Sequence, residues 1–508
     1  MSISSPYSSF AFKQATLYFL IGKIVSAILS LGILLLLVHL LPMKEYGTYV
    51  VLVAGMEITL AVTTLGLPWI ALRYLPEFRL YASGKMLIHF VWQVVALISL
   101  FIAVSAFLLL AALPWLLPSE LTQYTDVVKL YLLLLFIEGL GRHIRESILG
   151  PLMQQGRVQI SQVLRNLTFL LLIGIIVTQE TAHLYYVVFA ELVASMLGTI
   201  LALYGLIQYL EVCRDLQGKD SWQPSRWLEM WRTACHMYLS NLVAQIHNPQ
   251  MFVFLIQRYL DLEATALFGF LRNLYGQVAN YLPAALLSNL IRPKLAASFV
   301  SKGGMIELTR SVNLIGKLSM FALMPILIFV WLAGSELTSL LSGGKFNEVD
   351  YYLAGLLLTL IPLSQRQLLE FVAVVSEKSH LCFGGAVFGA LALPMAYFLL
   401  ESGQGLWGCI ISIVMSQILF SGTLIIALMH TTAYHFDVIG FFKLIAAAVI
   451  GFVFIQQLAL SIQSWLDLFF MAILSCILFL LVAYFIKPFY SDERERLNRL
   501  FNRNIFVW

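Results

Sequence analysis

Apolar residues run along this chain in blocks of 18 or more, parted by short polar breaks, and the blocks follow one another almost without pause. Hydrocarbon about 30 Å thick is crossed by roughly twenty helical residues at about 1.5 Å each, so each block is long enough for one crossing. The pattern predicts helices near 13–41, 45–72, 85–114, 125–152, 157–178 and 183–211, then a polar segment, EVCRDLQGKDSWQPSR, from Glu211 to Arg226. A second set is predicted near 227–256, 262–291, 304–334, 348–376, 380–400 and 404–430, and two last helices near 438–460 and 464–487. The expected fold class is an all-α polytopic membrane protein with about fourteen transmembrane helices. Its expected parts are an N-lobe over 1–215, a linker over 216–226, a C-lobe over 227–432, two further helices over 433–490, and a basic tail over 491–508.

Composition agrees with the pattern. The chain is 60% hydrophobic and 11% charged, far from the soluble average of about 25% charged. Its net charge of +4 is not gathered into a soluble basic domain, which excludes a nucleic-acid partner. Cys213, Cys235, Cys382, Cys409 and Cys476 stand singly, without a CxxC pair, and read as packing residues, not disulfides or metal ligands. The opening MSISSPYSSFAF leads into a very long apolar run with no small-residue cleavage pattern, so the first helix is expected to be retained.

Charge placement sets an orientation. With the N-terminus inside, inner loops hold Arg73, Arg79, Lys85, Arg157, Arg214, Lys219, Arg226, Arg292, Lys294, Lys302 and Lys378, and outer loops hold only Lys44, Arg258 and Lys345. That alternation follows the positive-inside rule and places both termini in the cytoplasm. The outer loops are too short to fold as a catalytic domain, so an enzyme is not expected.

The segment Glu45–Phe78, EYGTYVVLVAGMEITLAVTTLGLPWIALRYLPEF, has a parallel at Glu263–Phe299, EATALFGFLRNLYGQVANYLPAALLSNLIRPKLAASF, about 218 positions later. Both have Gly and Pro breaks and a basic exit. Arg145 falls on Arg366 in a similar register. Six crossings separate the copies, so the halves would be parallel repeats with substrate bound between them.

A charge inside hydrocarbon costs roughly 2.5–3.5 kcal/mol on insertion scales, so such residues should face an interior or a watery cavity. The candidates are Lys23, Glu57, Glu138, Arg142, Arg145, Glu146, Arg165, Glu191, Arg272, Lys317, Arg366 and Glu370. Glu138, Arg142 and Arg145 share one helical face. Glu138–Arg142–Glu146 forms a self-neutralising i,i+4 ladder that leaves Arg145 unmatched, and Arg366 can pair with Glu370 in the same way. Lys23 and Arg272 each lie about ten residues into a helix, roughly 15 Å deep. Two accounts stand: Glu57, Lys23 and Arg272 pair across helices, or the cations line a cavity for an anion, for which a guanidinium fork suits phosphate. His236 and His247, on a polar stripe with Ser240, Asn241, Gln245 and Asn248 before Pro249, either carry protons or pack around a proline kink.

The run EYGTY followed by GLPWIALRYLPEF, with the first-helix stretch FLIGKIVSAILSLGILLLLVHLLPMKEYG, resembles the oligosaccharide flippases of the multidrug/oligosaccharidyl-lipid/polysaccharide (MOP) exporter superfamily. That resemblance implies two six-helix lobes in a V-shaped, MATE-like arrangement, alternating access, and a cavity lined by basic residues. It implies transfer of an undecaprenyl-diphosphate-linked oligosaccharide across the bacterial cytoplasmic (inner) membrane for exopolysaccharide or O-antigen synthesis. The lipid bilayer would be a partner, with a polysaccharide polymerase or biosynthesis complex alongside. By helix and depth, Arg272 is assigned to the diphosphate first, then Lys23, with Arg145 and Arg366 as further cavity cations. Glu57, Glu191, Glu370 and His236 are candidates for gating or for coupling to H+ or Na+; no other cofactor is implied. The alternatives are a multidrug/cation antiporter of the same superfamily and a lipid II flippase. A major-facilitator sugar transporter and a membrane scaffold fit less well, the first because RYLPEFRLYASGK lacks its loop pattern.

Overall fold

The computed structural model describes residues 9–117, 119–178, 183–216, 235, 238–239, 241–285, 304–346, 349, 351–376, 378, 380–458, 462 and 464–501. Eleven helical stretches among these are long and apolar enough to cross a membrane. Of the other expected crossings, 125–152 and 262–291 carry more polar residues per turn, and eleven residues of 227–256, mostly in its first third, lie outside the described residues.

Two compact units form, one from Met1–Gln245 with Asp261–Ala266, the other from Ile246–Leu260 with Leu267–Trp508. In the first, α1 (Ser9–Leu40) lies along α6 (Gln155–Thr178), and α5 (Thr125–His143) and α6 both pack on α7 (Leu184–Cys213). Two more helices, α2 (Met43–Thr63) and α4 (Gly84–Leu116), close against α5.

The crossing expected over 45–72 stops early. Leu65 and Gly66 turn to φ of 46° and 81°, and Pro68 opens a separate helix, α3 (Leu67–Tyr81). Glycine takes that left-handed φ freely, and proline is at home in a first turn, where its missing N–H is no loss. At fifteen residues α3 is too short to span hydrocarbon.

Gly84 begins α4 where α7 ends, and its N–H bonds the Leu216 carbonyl at 3.3 Å. A Cβ there would run into the carbonyls of Cys213 and Arg214. Gly84→Val should therefore destabilise the first unit by about 1–3 kcal/mol, the usual cost of overpacking. A melting midpoint of purified protein equal to wild type would refute this contact.

In the second unit α8 (Pro249–Tyr259) starts from Asn248, whose side chain accepts from the Gln250 N–H, and α9 (Leu262–Tyr281) belongs to this unit from Leu267 onward. Four helices, α12 (Leu360–Val375), which continues α11 (Tyr352–Leu358), α13 (His380–Ala390) and α14 (Ala392–Glu401), surround α15 (Gly405–Thr431). The long α10 (Gly304–Leu341) carries α16 (Val438–Gln456) and α17 (Trp465–Ile486) on its side.

The tail, expected only as a basic extension, folds over its first part as α18 (Ser491–Phe501) with Asp492 and Glu493 in its first turn. Phe489 and Leu497 pack on Leu314, Leu318 and Phe321 of α10. Beside them Lys317, wholly buried, donates to Asp437 at 2.7 Å and to Glu493 at 2.5 Å. Its ammonium also sits over the Tyr490 ring, 4.6 Å from the centroid. Arg496 adds a two-pronged bond to Glu307, at 2.6 and 3.2 Å.

Candidate functional site

In the first unit the interior charges close on one another. Glu138 is 2% exposed. Its Oε1 accepts from Arg145 Nη2 at 2.8 Å, and its Oε2 from Arg165 Nε at 2.8 Å. Arg165 also reaches Glu191 at 3.1 Å and Ser195 at 3.1 Å. The Tyr49 hydroxyl donates to the other Glu191 oxygen at 2.9 Å. Arg145 continues to Ser161, which donates to the Gly198 carbonyl at 2.8 Å.

The π-helical turn Ile144–Leu149 that follows α5 carries Arg145 into this interior; such turns shift the following side chains around the axis. Arg145 is therefore not the unmatched cation that local spacing leaves over. The predicted ladder is also redistributed: Arg142 donates to both oxygens of Glu57, at 2.8 and 2.9 Å, and Glu146 is exposed. Three guanidiniums (Arg142, Arg145, Arg165) face three carboxylates (Glu57, Glu138, Glu191), a balance expected of charge placed in low dielectric. Glu45, at the start of α2, accepts the first N–H of α7 at 2.6 Å, a carboxylate at the positive end of a helix. Lys23, half-buried on α1, lies 5.8 Å from the Phe19 ring centroid.

The second unit arranges its cations differently. Arg366 pairs with Glu370 at 2.8 Å, as the i,i+4 spacing predicts. It also donates to His247 Nε2 at 2.9 Å, approaches Gln417 at 3.5 Å, and stacks 4.0 Å from the Phe420 ring centroid. Arg272, 7% exposed on α9, donates to the Gln250 side-chain carbonyl. Along the same helix Asn273 and Asn280 are exposed and Gln277 half-buried. His236 and Ser240 lie outside the described residues.

Sequence reasoning found the charges but missed the neutral groups that hold them: Tyr49, Ser161, Ser195, Gln250, Gln417 and Phe420. None stands at a helical spacing from its partner, so no local signal marks them. Among the described residues no group of three or more His, Cys, Asp and Glu is placed to hold a metal ion.

Residues 12–300, more than half of the chain, match the family described as polysaccharide biosynthesis protein. The chain belongs to that family. Comparison with curated proteins gave no sequence match. In fold this family member is similar to the lipid II flippase MurJ in its inward closed conformation, with a TM-score of 0.69 at 11% identity over 96% of this chain and 99% of that one. It is also similar to MATE in the straight conformation, with a TM-score of 0.58 at 15% identity over 83% of this chain and 95% of that one. A third similar structure is an inward-facing multidrug resistance MATE family transporter of the MOP superfamily, with a TM-score of 0.56 at 14% identity over 82% and 98%. The fold is thus the one that the first two helices imply by their resemblance to the MOP superfamily.

Proposed function

We propose that this protein is a flippase that moves an undecaprenyl-diphosphate-linked oligosaccharide across the bacterial cytoplasmic membrane by alternating access of fourteen helices, with both termini inside. The observation that carries this reading is membership of the polysaccharide biosynthesis family in a chain with the fold of a lipid II flippase. The coverage of 96% against the flippase, compared with 83% against the MATE structures, supports a lipid-linked substrate over a drug. No catalytic step is assigned. The substrate repeat unit would come from membrane-bound glycosyl transfer and pass to a polymerase.

The charges divide by what holds them. Arg272 first, then Lys23, with Arg366 as a further cation, take the diphosphate in this scheme, in line with the family resemblance. Arg145, Arg165, Glu138 and Glu191 form the framework of the first unit. Glu57 and Glu370 keep 32% and 35% side-chain exposure, each on a single arginine, so coupling to H+ or Na+ belongs with them before the buried Glu191.

Arg272→Ala tests the assignment. A hydrogen bond to a charged group contributes about 1.5–3 kcal/mol, so substrate binding should weaken by at least tenfold. Surface polysaccharide should be lost while the protein stays in the membrane at its normal amount. Normal polymer would sink the role of Arg272.

A further inference from the structure

His247 is wholly buried at the turn that precedes α8. Its Nε2 lies 2.9 Å from Arg366 Nη1. A guanidinium has donors and no acceptor, so Nε2 presents its lone pair and the ring hydrogen is on Nδ1. Among the described residues Nδ1 has no hydrogen-bond partner; Gly389, whose carbonyl is taken by Ser416 at 3.1 Å, packs against it. Among the described residues the ring is thus held through one bond, the one to Arg366, and by its packing, including Phe420 at 5.9 Å between centroids.

Arg366 has other partners in Glu370, Gln417 and Phe420. Its charge balances Glu370. If the guanidinium swings onto a diphosphate, Glu370 loses its salt-bridge partner and His247 loses its one donor at Nε2 among the described residues. Other groups near the pair are Cys382 on α13 and Tyr275 on α9, and α15 presents Ser416 and Gln417. Cys382 and Tyr275 are neutral at working pH in their ordinary state. Glu370 is partly exposed.

We propose that Nε2 of His247 is a proton-binding site controlled by Arg366: guanidinium and proton compete for one lone pair, so drawing Arg366 onto an anionic diphosphate takes up one proton. This rests on Arg366 as a substrate cation. The atoms balance simply: the N–H···N bond breaks, a proton from water forms the Nε2–H bond, and the positive charge that Arg366 carried beside Glu370 is replaced on the imidazole. Proton uptake and diphosphate binding are then linked, each strengthening the other.

The test uses the full-length protein in lipid nanodiscs and undecaprenyl diphosphate as the probe. In weakly buffered solution near neutral pH, wild type should take up one proton per diphosphate bound and bind about tenfold more tightly for each unit the pH is lowered. His247→Gln, which keeps an acceptor for Arg366 but does not titrate, should bind with no proton uptake and no such pH dependence. Wild-type binding without proton uptake overturns the proposal, as does unchanged uptake in His247→Gln, which would move the proton elsewhere. A second arm needs no ligand. In 15N-histidine-labelled protein, Arg366→Met should show an extra histidine titration, moved to higher pH than in wild type, and Arg366→Met/His247→Gln should lose it. Absence of that extra titration overturns the proposal. Failure of wild type to bind the diphosphate at all would instead sink the substrate role of Arg366, and the labelled-histidine arm would still decide on His247.

Discussion

Glu138→Ala is expected to leave little folded protein. Glu138 is the hub of the first unit, with Arg145 on one oxygen and Arg165 on the other, both at 2.8 Å. Its side chain is 3% exposed, and those of Arg145 and Arg165 are 2% and 12% exposed, so water cannot replace it. Removal leaves two guanidiniums facing each other in a low dielectric. Breaking a buried pair by deleting one partner costs about 3–5 kcal/mol, a large share of a typical total stability of about 5–15 kcal/mol.

The measurement is the yield of monodisperse detergent-solubilised protein and its melting midpoint. Glu138→Ala/Arg145→Met should recover part of the loss, because it also removes one of the stranded charges. A single variant that melts with wild type would show that the network does not support the fold. Replacement of Arg272 should alter transport far more than it lowers the melting midpoint. Framework and substrate cations are separated by that difference in readout.

The second large effect is expected at Lys317. Its ammonium lies between Asp437, at the start of α16, and Glu493 in the first turn of α18, with no exposed surface. Lys317→Ala brings two carboxylates together and opens a hole beneath Phe489. At about 3–5 kcal/mol for a broken buried pair, undocking of α18 should become roughly a hundredfold more frequent or greater. Trypsin cleavage after Arg494 and Arg496 follows the population of the open form, and mass spectrometry of the C-terminal fragments reads it. Glu493→Gln removes only the α18 side of the bond and should give the same cleavage with the membrane helices intact. Equal cleavage in both variants and wild type would refute the docking contact.

Acid should loosen the same contact. Burial by itself raises the Asp437 carboxyl, but bonds from Lys317, the Gly440 N–H and Tyr490 outweigh it and hold the carboxyl below its ordinary range. A carboxylate lowered on folding contributes stability that is present above its unfolded pKa of about 3.9 and lost as pH falls through the folded value. Docking of α18 should thus be independent of pH near neutrality and weaken below about pH 4.

The periodicity of apolar residues determined the class of the protein, because a block of twenty apolar residues has few other uses. It also located most helices, from α4 at Gly84–Leu116 to α17 at Trp465–Ile486, within a few residues. It ran α2 and α3 together, since both sides of Leu65–Gly66 are apolar and only the backbone dihedrals mark the break. Local spacing correctly joined Arg366 to Glu370, a pair that needs nothing but one helical turn.

It could not supply the partners that are remote in sequence. Glu57 meets Arg142 across 85 positions, Lys317 meets Glu493 across 176, and Arg366 meets His247 across 119. The sequence by itself determined that costly charges must be satisfied in the membrane, because their transfer free energy is a property of each residue. Which charge satisfies which was decided by the packing of α5, α6 and α7, and of α10 against α16 and α18. A partner is chosen by distance in space, and helical period carries that information for only about a turn or two.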